Sequence, residues 1–291
     1  MKAGTDLHRT DGQEKEIFPF YNFHITVRGA AHLRRKAPCQ DYSGSAELQD
    51  ATVVAAADGH GDIRYFRSKL GARFAVEAAL KAVSQFIRGE DTERFTENTD
   101  AKLNQLKKNI IFNWNRRVAR HYKANPFLEE ELAPLSEKRR TCLQNGQMVE
   151  SAYGTTLIIS AVTRSGWFGM QIGDGDCFAL MNDGTVEAVP REEKLVGNVT
   201  TSLCEPDAFY SFHHIFQQKV PLAVVLSTDG VKNSFSSSEK YHSFMEKVIS
   251  EFSCGNTVRT KKDLKDFLSE MTEKGSGDDV SIAGIITYRK A

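Results

Sequence analysis

Val53-Val54-Ala55-Ala56-Ala57-Asp58-Gly59-His60-Gly61-Asp62 decides how the rest of the chain is read. A short, wholly apolar run stopped by turn residues reads as a buried strand. At its end stand two carboxylates and one imidazole. Two glycines there allow a sharp turn and a close approach of backbone to a ligand. A side chain at the end of a packed strand is held in place, which suits a metal ligand or a catalytic group. Taken alone, the same residues also make an ordinary Asp-Gly turn, so the distant parts of the chain have to decide.

Working outward, Phe23–Arg28 alternates and reads as a first strand. Gly29 to Pro38 reads as a loop carrying Arg28, His32, Arg34, Arg35 and Lys36, and Gln40-Asp41-Tyr42 leads into a second strand. Such cations make a solvated surface or an anion site. Beyond the opening stretch, Ile63, Phe66, Leu70 and Phe74, then Leu80, Val83 and Ile87, predict a helix from Ile63 to Ile87 broad enough to cover a sheet. A second helix is expected over about 101–122, with Leu103, Leu106, Ile110, Trp114 and Val118 on one face. Residues 125–151 read as an irregular surface insertion or short helix.

Strands follow at 155–162, 166–172, 177–181 and 185–189, with Asn182-Asp183-Gly184 as a hairpin turn. Residues 190–207 read as a loop or flap, and 208–213 as a further strand. Leu222–Ser227 is a buried strand ending in Thr228-Asp229-Gly230. Two helices, around 241–252 and 264–271, precede Gly275-Ser276-Gly277-Asp278-Asp279 and a last strand from Val280 to Thr287. Consecutive strands with short links, and helices in blocks, predict an α+β domain with helices layered on antiparallel sheets. Residues 1–16 are expected to be a mobile tail and 17–291 a single domain.

The bulk numbers remove several function classes. Lys+Arg and Asp+Glu both number 38, so no net field recruits nucleic acid or an anionic membrane. No apolar run approaches the length of a bilayer span, and the first twenty residues lack a secretory signal. The five cysteines, Cys39, Cys142, Cys177, Cys204 and Cys254, form no C-x-x-C pair and read as free thiols of a cytoplasmic protein.

Four acidic points share one placement. Asp58 and Asp229 each end an apolar strand and precede Gly, Asp41 precedes a strand, and Asp278 begins the last one. Strand termini gather at a sheet edge, and packed carboxylates stay ionised together only if a cation compensates. Hard oxygen donors without paired His or Cys point to Mg²⁺, Mn²⁺ or Ca²⁺ rather than zinc. Such carboxylates suit a two-metal site that activates water. The adjoining cationic loop suits an anionic substrate, which makes phosphate ester hydrolysis the expected reaction.

The chain also resembles the PP2C-type, metal-dependent Ser/Thr protein phosphatases, in particular their bacterial branch. The resemblance rests on Gln40-Asp41, Asp58-Gly59-His60-Gly61, Gly154-Thr155-Thr156, Gly173-Asp174-Gly175, Ser227-Thr228-Asp229-Gly230 and Gly277-Asp278-Asp279-Val280-Ser281, in order, over about residues 23–287. It implies a four-layer α-β-β-α sandwich with two mostly antiparallel sheets and the site at one end. It implies two Mn²⁺ or Mg²⁺ ions, with Asp58 bridging, Asp229 and Asp278 on the first, and the Gly59 carbonyl on the second beside Asp41. A metal-bridging hydroxide would attack phosphorus directly, and His60 stands where the family's proposed general acid stands.

Three departures accompany the resemblance. Lys36, with Arg34 and Arg35 adjacent, occupies the place of the usual phosphate-gripping Arg. Asn233 replaces an acidic residue of a third metal site that would use Asp174. Asp279 replaces an Asn and is expected to add negative charge that raises metal affinity. Asp62 is read as a helix cap. The partner implied is a protein phosphorylated on Ser or Thr, and a monomer is expected. A small-molecule phosphomonoesterase, or a catalytically silent phosphoprotein-binding module, is the alternative.

Overall fold

The computed structural model describes residues 20–89, 97–191, 200–254 and 256–287. The chain begins with β1 (Phe20–Val27), α1 (Ala30–Arg35), β2 (Tyr42–Glu47) and β3 (Ala51–Ala57). Two long helices follow, α2 (Ser68–Gly89) and α3 (Thr99–Ala124), then the short α4 (Glu129–Leu132) and α5 (Glu137–Gln144). Next come β4 (Leu157–Thr163), β5 (Gly166–Ile172), β6 (Asp176–Leu180) and β7 (Val186–Ala188). The remainder is α6 (Ala208–Ser211), β8 (His213–Gln217), β9 (Ala223–Ser227), α7 (Asp229–Lys232), α8 (Ser238–Cys254), α9 (Thr257–Lys274) and β10 (Val280–Thr287).

The strands form two five-stranded sheets, ordered β1-β10-β9-β6-β7 and β2-β3-β4-β5-β8, with antiparallel pairing throughout. β3 explains why the opening stretch is apolar at every position. Val53, Ala55 and Ala57 face a core shared with α2 and α3, while Val54 and Ala56 face the other sheet across the sandwich. β9 divides likewise: Val225 packs with α8 and α9, and Val224 and Leu226 pack between the sheets. A strand covered on both faces favours apolar residues at every position, and the few polar ones such strands hold, such as Ser160 and Ser227, are hydrogen-bonded. The four layers expected from the resemblance are thus present.

α2 lies close enough to its neighbours that Gly71 has no room for a side chain: a Cβ there would stand 1.8 Å from the Tyr153 carbonyl oxygen. The Trp114 indole on α3 donates to the Gly71 carbonyl at 3.0 Å.

Three expectations need correction. The cationic segment after Gly29 is not all loop, because Ala30–Arg35 is helical and Lys36 ends it in the left-handed region, at φ 57°. The long helix starts at Ser68 rather than Ile63; Ile63–Tyr65 is one 3₁₀ turn, capped by the Asp62 carboxylate accepting from the Arg64 N–H. The chain breaks there because Arg67 turns inward, donating to Glu131, to the carbonyls of Asn125 and Pro126, and to the Tyr153 hydroxyl. That same residue anchors the 125–151 insertion, which also buries Leu132, Leu135 and Leu143 in a small core of its own.

Finally, residues 208–211 are helical. The strand of this region is His213–Gln217, which pairs with β5. Ala208 and Phe212 are buried against α3 and its neighbours, and that burial holds the helical turn in place of an edge strand. The expected tail at 1–16, and the flap residues 192–199, lie outside the described residues. No helix among the described residues is long and apolar enough to cross a membrane.

Candidate active site

The strand registers bring the acidic ends together. Tyr42 pairs with Ala57, so Asp41 and Asp58 flank one end of the β2–β3 pair. Ser227 stands opposite Asp176 on one side and Ile282 on the other, which places Asp229, Asp174 and Asp278 at the corresponding end of the other sheet. The main chain around Asp58 is fixed by the 155–156 segment. The Asp58 N–H donates to Thr156 Oγ1 at 3.0 Å, and its carbonyl accepts from the Thr156 N–H and from Thr155 Oγ1, both at 2.8 Å. Gly59 sits where a Cβ would meet the Ser68 and Gln40 carbonyl oxygens at 2.7 and 2.8 Å, so its backbone approach depends on having no side chain.

The carboxylates feel one another. Burial holds the Asp58 carboxyl well above the usual carboxylate range, and the charges of Asp41, Asp229 and Asp278 push it further. Burial likewise raises Asp41, against the Thr228 hydrogen bond and with Asp279 and Asp278 adding to the rise. Asp229 is pushed up to about 6, by burial first and then by Asp174 and Asp278. Asp174 and Asp278 are also raised, chiefly by burial. Asp58 and Asp229 lie within hydrogen-bonding reach of each other, two acceptors that need a shared proton or a cation between them.

Two buried oxygens in this group have no donor: Asp41 Oδ1 and Asp229 Oδ1. The opposite oxygens are well held. Asp41 Oδ2 accepts from Thr228 Oγ1 at 2.8 Å, and Asp229 Oδ2 from Asn233 Nδ2 at 2.8 Å. Each carboxylate is therefore oriented on one side and open on the other. That pattern, with oxygen donors only, fits a hard divalent cation. Among the described residues, however, no three His, Cys, Asp or Glu side chains stand in a ready-made ligating arrangement.

Asp279 also has a structural role. Its carboxylate accepts from the Gly29 N–H at 2.6 Å, the Gln40 N–H at 2.6 Å and His32 Nδ1 at 2.8 Å. It is a clamp joining α1 and the Gln40 segment to the start of β10, and its charge is still felt at Asp41. Gln40 extends the clamp: its carbonyl accepts from the Gly59 N–H, and its side chain donates to the His60 carbonyl and to Ser68 Oγ.

Of the three cations read as phosphate ligands, Arg34 reaches the Gly277 turn that precedes Asp278. One guanidinium nitrogen of Arg34 lies 3.7 Å from where a Cβ of Gly277 would be, next to Asp278. Arg34, Arg35 and Lys36 are all exposed. His60 is largely buried, packs edge-on against Tyr65 at 4.7 Å between ring centroids, and donates its backbone N–H to the Gly154 carbonyl. Burial, then Arg64, lowers its imidazole to about 4. Asp62 caps its turn and pairs with Arg64, away from the carboxylates.

Thr228, Thr156 and Gln40 were read from sequence only as parts of the shared motifs, and Asn233 only as a departure at the third-metal position; the structure adds their orienting role. A trace of each is there: Thr228 precedes Asp229, and Asn233 lies four residues after it, one helical turn away.

Comparison with known proteins settles the family. The model of the protein phosphatase 2C family matches residues 28–269. The chain belongs to the protein phosphatase 2C family. This phosphatase is therefore sorted with the PP2C-type serine/threonine phosphatases. Comparison with curated proteins gives no match. Among solved structures, the phosphatase is similar to the serine/threonine phosphatase Stp1 from Staphylococcus aureus, with 14% identity and a TM-score of 0.58, covering 96% of this chain and 100% of that one. It is similar to PppA of Pseudomonas aeruginosa, with 14% identity and a TM-score of 0.55, covering 94% and 99%. The catalytic domain of PstP, solved with two manganese ions, has 13% identity and a TM-score of 0.54, covering 93% and 99%. At these identities the likeness is one of fold.

Proposed function

We propose that this phosphatase hydrolyses phosphoserine and phosphothreonine in proteins with the help of two Mn²⁺ or Mg²⁺ ions. The observation that carries this reading is the pair of buried, donor-less carboxylate oxygens on Asp41 and Asp229 within a group of mutually raised carboxyls. Asp58, Asp229 and Asp278, the Gly59 carbonyl and Asp41 are the ligands proposed, with Asp174 available to a third ion. When bound, such ions neutralise phosphoryl charge and make water a nucleophile at neutral pH.

The chain's own residues do the rest. Thr228 and Asn233 hold one oxygen of Asp41 and of Asp229, leaving the other free to ligate. Arg34 takes the substrate phosphate by charge-assisted hydrogen bonds, with Arg35 and Lys36 reinforcing the local field. His60 serves the leaving oxygen. Its low proton affinity in the free protein runs against a resting acid, but a phosphate dianion beside an imidazole favours the charged form. Substrate binding would therefore raise its proton affinity, and the proton it donates would be taken up from solvent.

The test is release of phosphate from a phosphoserine peptide by the full chain, with and without Mn²⁺, beside Asp278→Asn. Turnover that needs metal and is lost in the variant is expected. Turnover that survives chelation or the substitution would overturn the ligand assignment. A sugar phosphate hydrolysed with a higher kcat/KM than any phosphopeptide would overturn the substrate class.

A further inference from the structure

β1 and β2 are edge strands of different sheets, and they run side by side at one flank of the sandwich. Asn22 Nδ2 donates to Glu47 Oε1 at 2.7 Å, and Thr26 Oγ1 and Ser43 Oγ share a hydrogen bond at 2.8 Å. Between the strands and α9 lies a recess of about 300 Å³, lined among others by His24, Thr26, Tyr42, Ser43, Lys261 and Lys265.

The chemistry of this lining has one sign. Lys261 and Lys265 are one turn apart on α9, and among the described residues neither has a carboxylate partner. Elsewhere on the same helix Arg259 pairs with Asp263, and Lys274 pairs with Glu270. His24 is half-buried, and its ring makes no hydrogen bond among the described residues. Burial, then Lys261, lowers its proton affinity, as expected where positive charge has gathered without an anion. Lysines on a strand edge often serve only to block edge-to-edge pairing, but these two project from a helix. The Tyr42 hydroxyl can turn its donor toward a guest, and so can one of the Thr26–Ser43 pair, whose mutual hydrogen bond uses the other proton.

We infer that the recess is an anion-binding site for a phosphate-type dianion, held by Lys261 and Lys265 and completed by His24, the Tyr42 hydroxyl and one donor of the Thr26–Ser43 pair. It is separate from the carboxylate cluster, yet it lies close to it. Thr26 Oγ1 also bonds Ser281 Oγ at 2.8 Å, the Ser281 N–H donates to Thr228 Oγ1 at 2.9 Å, and Thr228 holds Asp41.

Two sources of such a group exist: free phosphate, and a second phosphoryl group on a substrate. The test uses the full chain and Lys261→Gln/Lys265→Gln, which keeps side-chain length and removes both charges. Inorganic phosphate is titrated into metal-stripped protein while the His24 ring is followed by NMR, assigned with His24→Asn. The metal-stripped readout is independent of turnover, so failure here and failure of the proposed phosphatase reading can be told apart.

A saturable shift of the His24 signals, with affinity at least about tenfold weaker in the double variant, is expected; tenfold corresponds to about 1.4 kcal/mol. Absence of saturation, or equal affinity in the two proteins, would overturn the site. With Mn²⁺ added, KM for doubly and singly phosphorylated peptides names the source. A lower KM for the doubly phosphorylated peptide that disappears in the variant upholds the site and assigns it to substrate. No difference, with phosphate binding intact, upholds it and assigns it to free phosphate.

Discussion

Replacing Asp229 by Asn should make the metal-free protein more stable while destroying its activity. The Asp229 carboxyl is raised from 3.8 to about 6 by burial and by Asp174 and Asp278. A raised carboxyl means the folded protein holds a proton that the unfolded chain releases. Between about pH 4 and pH 6 folding is therefore increasingly penalised as pH rises, and above pH 6 the penalty is complete. The move from 3.8 to about 6 corresponds to about 3 kcal/mol at neutral pH. Asn has nearly the same shape and can still accept from Asn233, but it carries no charge.

For a chain of this size about 3 kcal/mol raises Tm by about 5 °C. Scanning calorimetry in chelator at about pH 7.5 should show that gain, and at about pH 4 it should shrink toward zero. Adding Mn²⁺ should raise the Tm of the parent protein, raise that of the variant far less, and restore turnover only to the parent. A variant less stable than its parent in chelator at neutral pH would refute the reasoning, because Asp229 would then not be a charge held in place for a cation.

Other consequences are directly measurable. The His60 ring, followed by NMR in the metal-free protein, should titrate near 4, and an oxyanion such as phosphate bound in the Mn²⁺-loaded protein should move that midpoint upward; a midpoint near 6.5 in the free protein would show that the ring is not desolvated. Arg67→Ala leaves Glu131, Tyr153 and two carbonyls without their donor, which should cost about 3 kcal/mol and, in hydrogen exchange, loosen residues 125–151 ahead of the sheets. Arg34→Ala should raise KM for a phosphopeptide about tenfold, the loss of one charge-assisted hydrogen bond, while Lys36→Ala should change it less; the reverse order would return the phosphate role to Lys36.

Much of this was legible in the sequence because the physics involved is local. β3 and β9 are covered on both faces, so their apolar runs stand out, and the Asp-Gly pairs that end them mark the site directly. The helix in the 30–35 segment was hidden by its composition, since a six-residue helix has no room for an apolar period. The strand at 213–217 was hidden because it is an edge strand with every position only partly buried, so no alternation marks it. The clamp made by Asp279 was hidden for a different reason. Its three donors are the backbone of Gly29 and Gln40 and the His32 ring, some 240 residues away in the chain, and no local pattern announces such partners. Arg67 is similar: its partners lie 58 to 86 residues away.

The β1–β10 pairing, in which Phe20 stands opposite Thr287, has a consequence for when the protein can work. A ribosome releases the chain from its N-terminus, and domains fold as their residues emerge. Asp58 and the β2–β3 pair that carries it are made early. Asp229 follows late, and Asp278 later still, on the strand that β1 must wait for. Contacts of such long sequence separation close last and slowly. A growing chain therefore holds Asp58 without the carboxylates that would share its cation, and the proposed site comes into being only after Asp278 and the strand that follows it have been made. A half-made phosphatase of this design is a silent one.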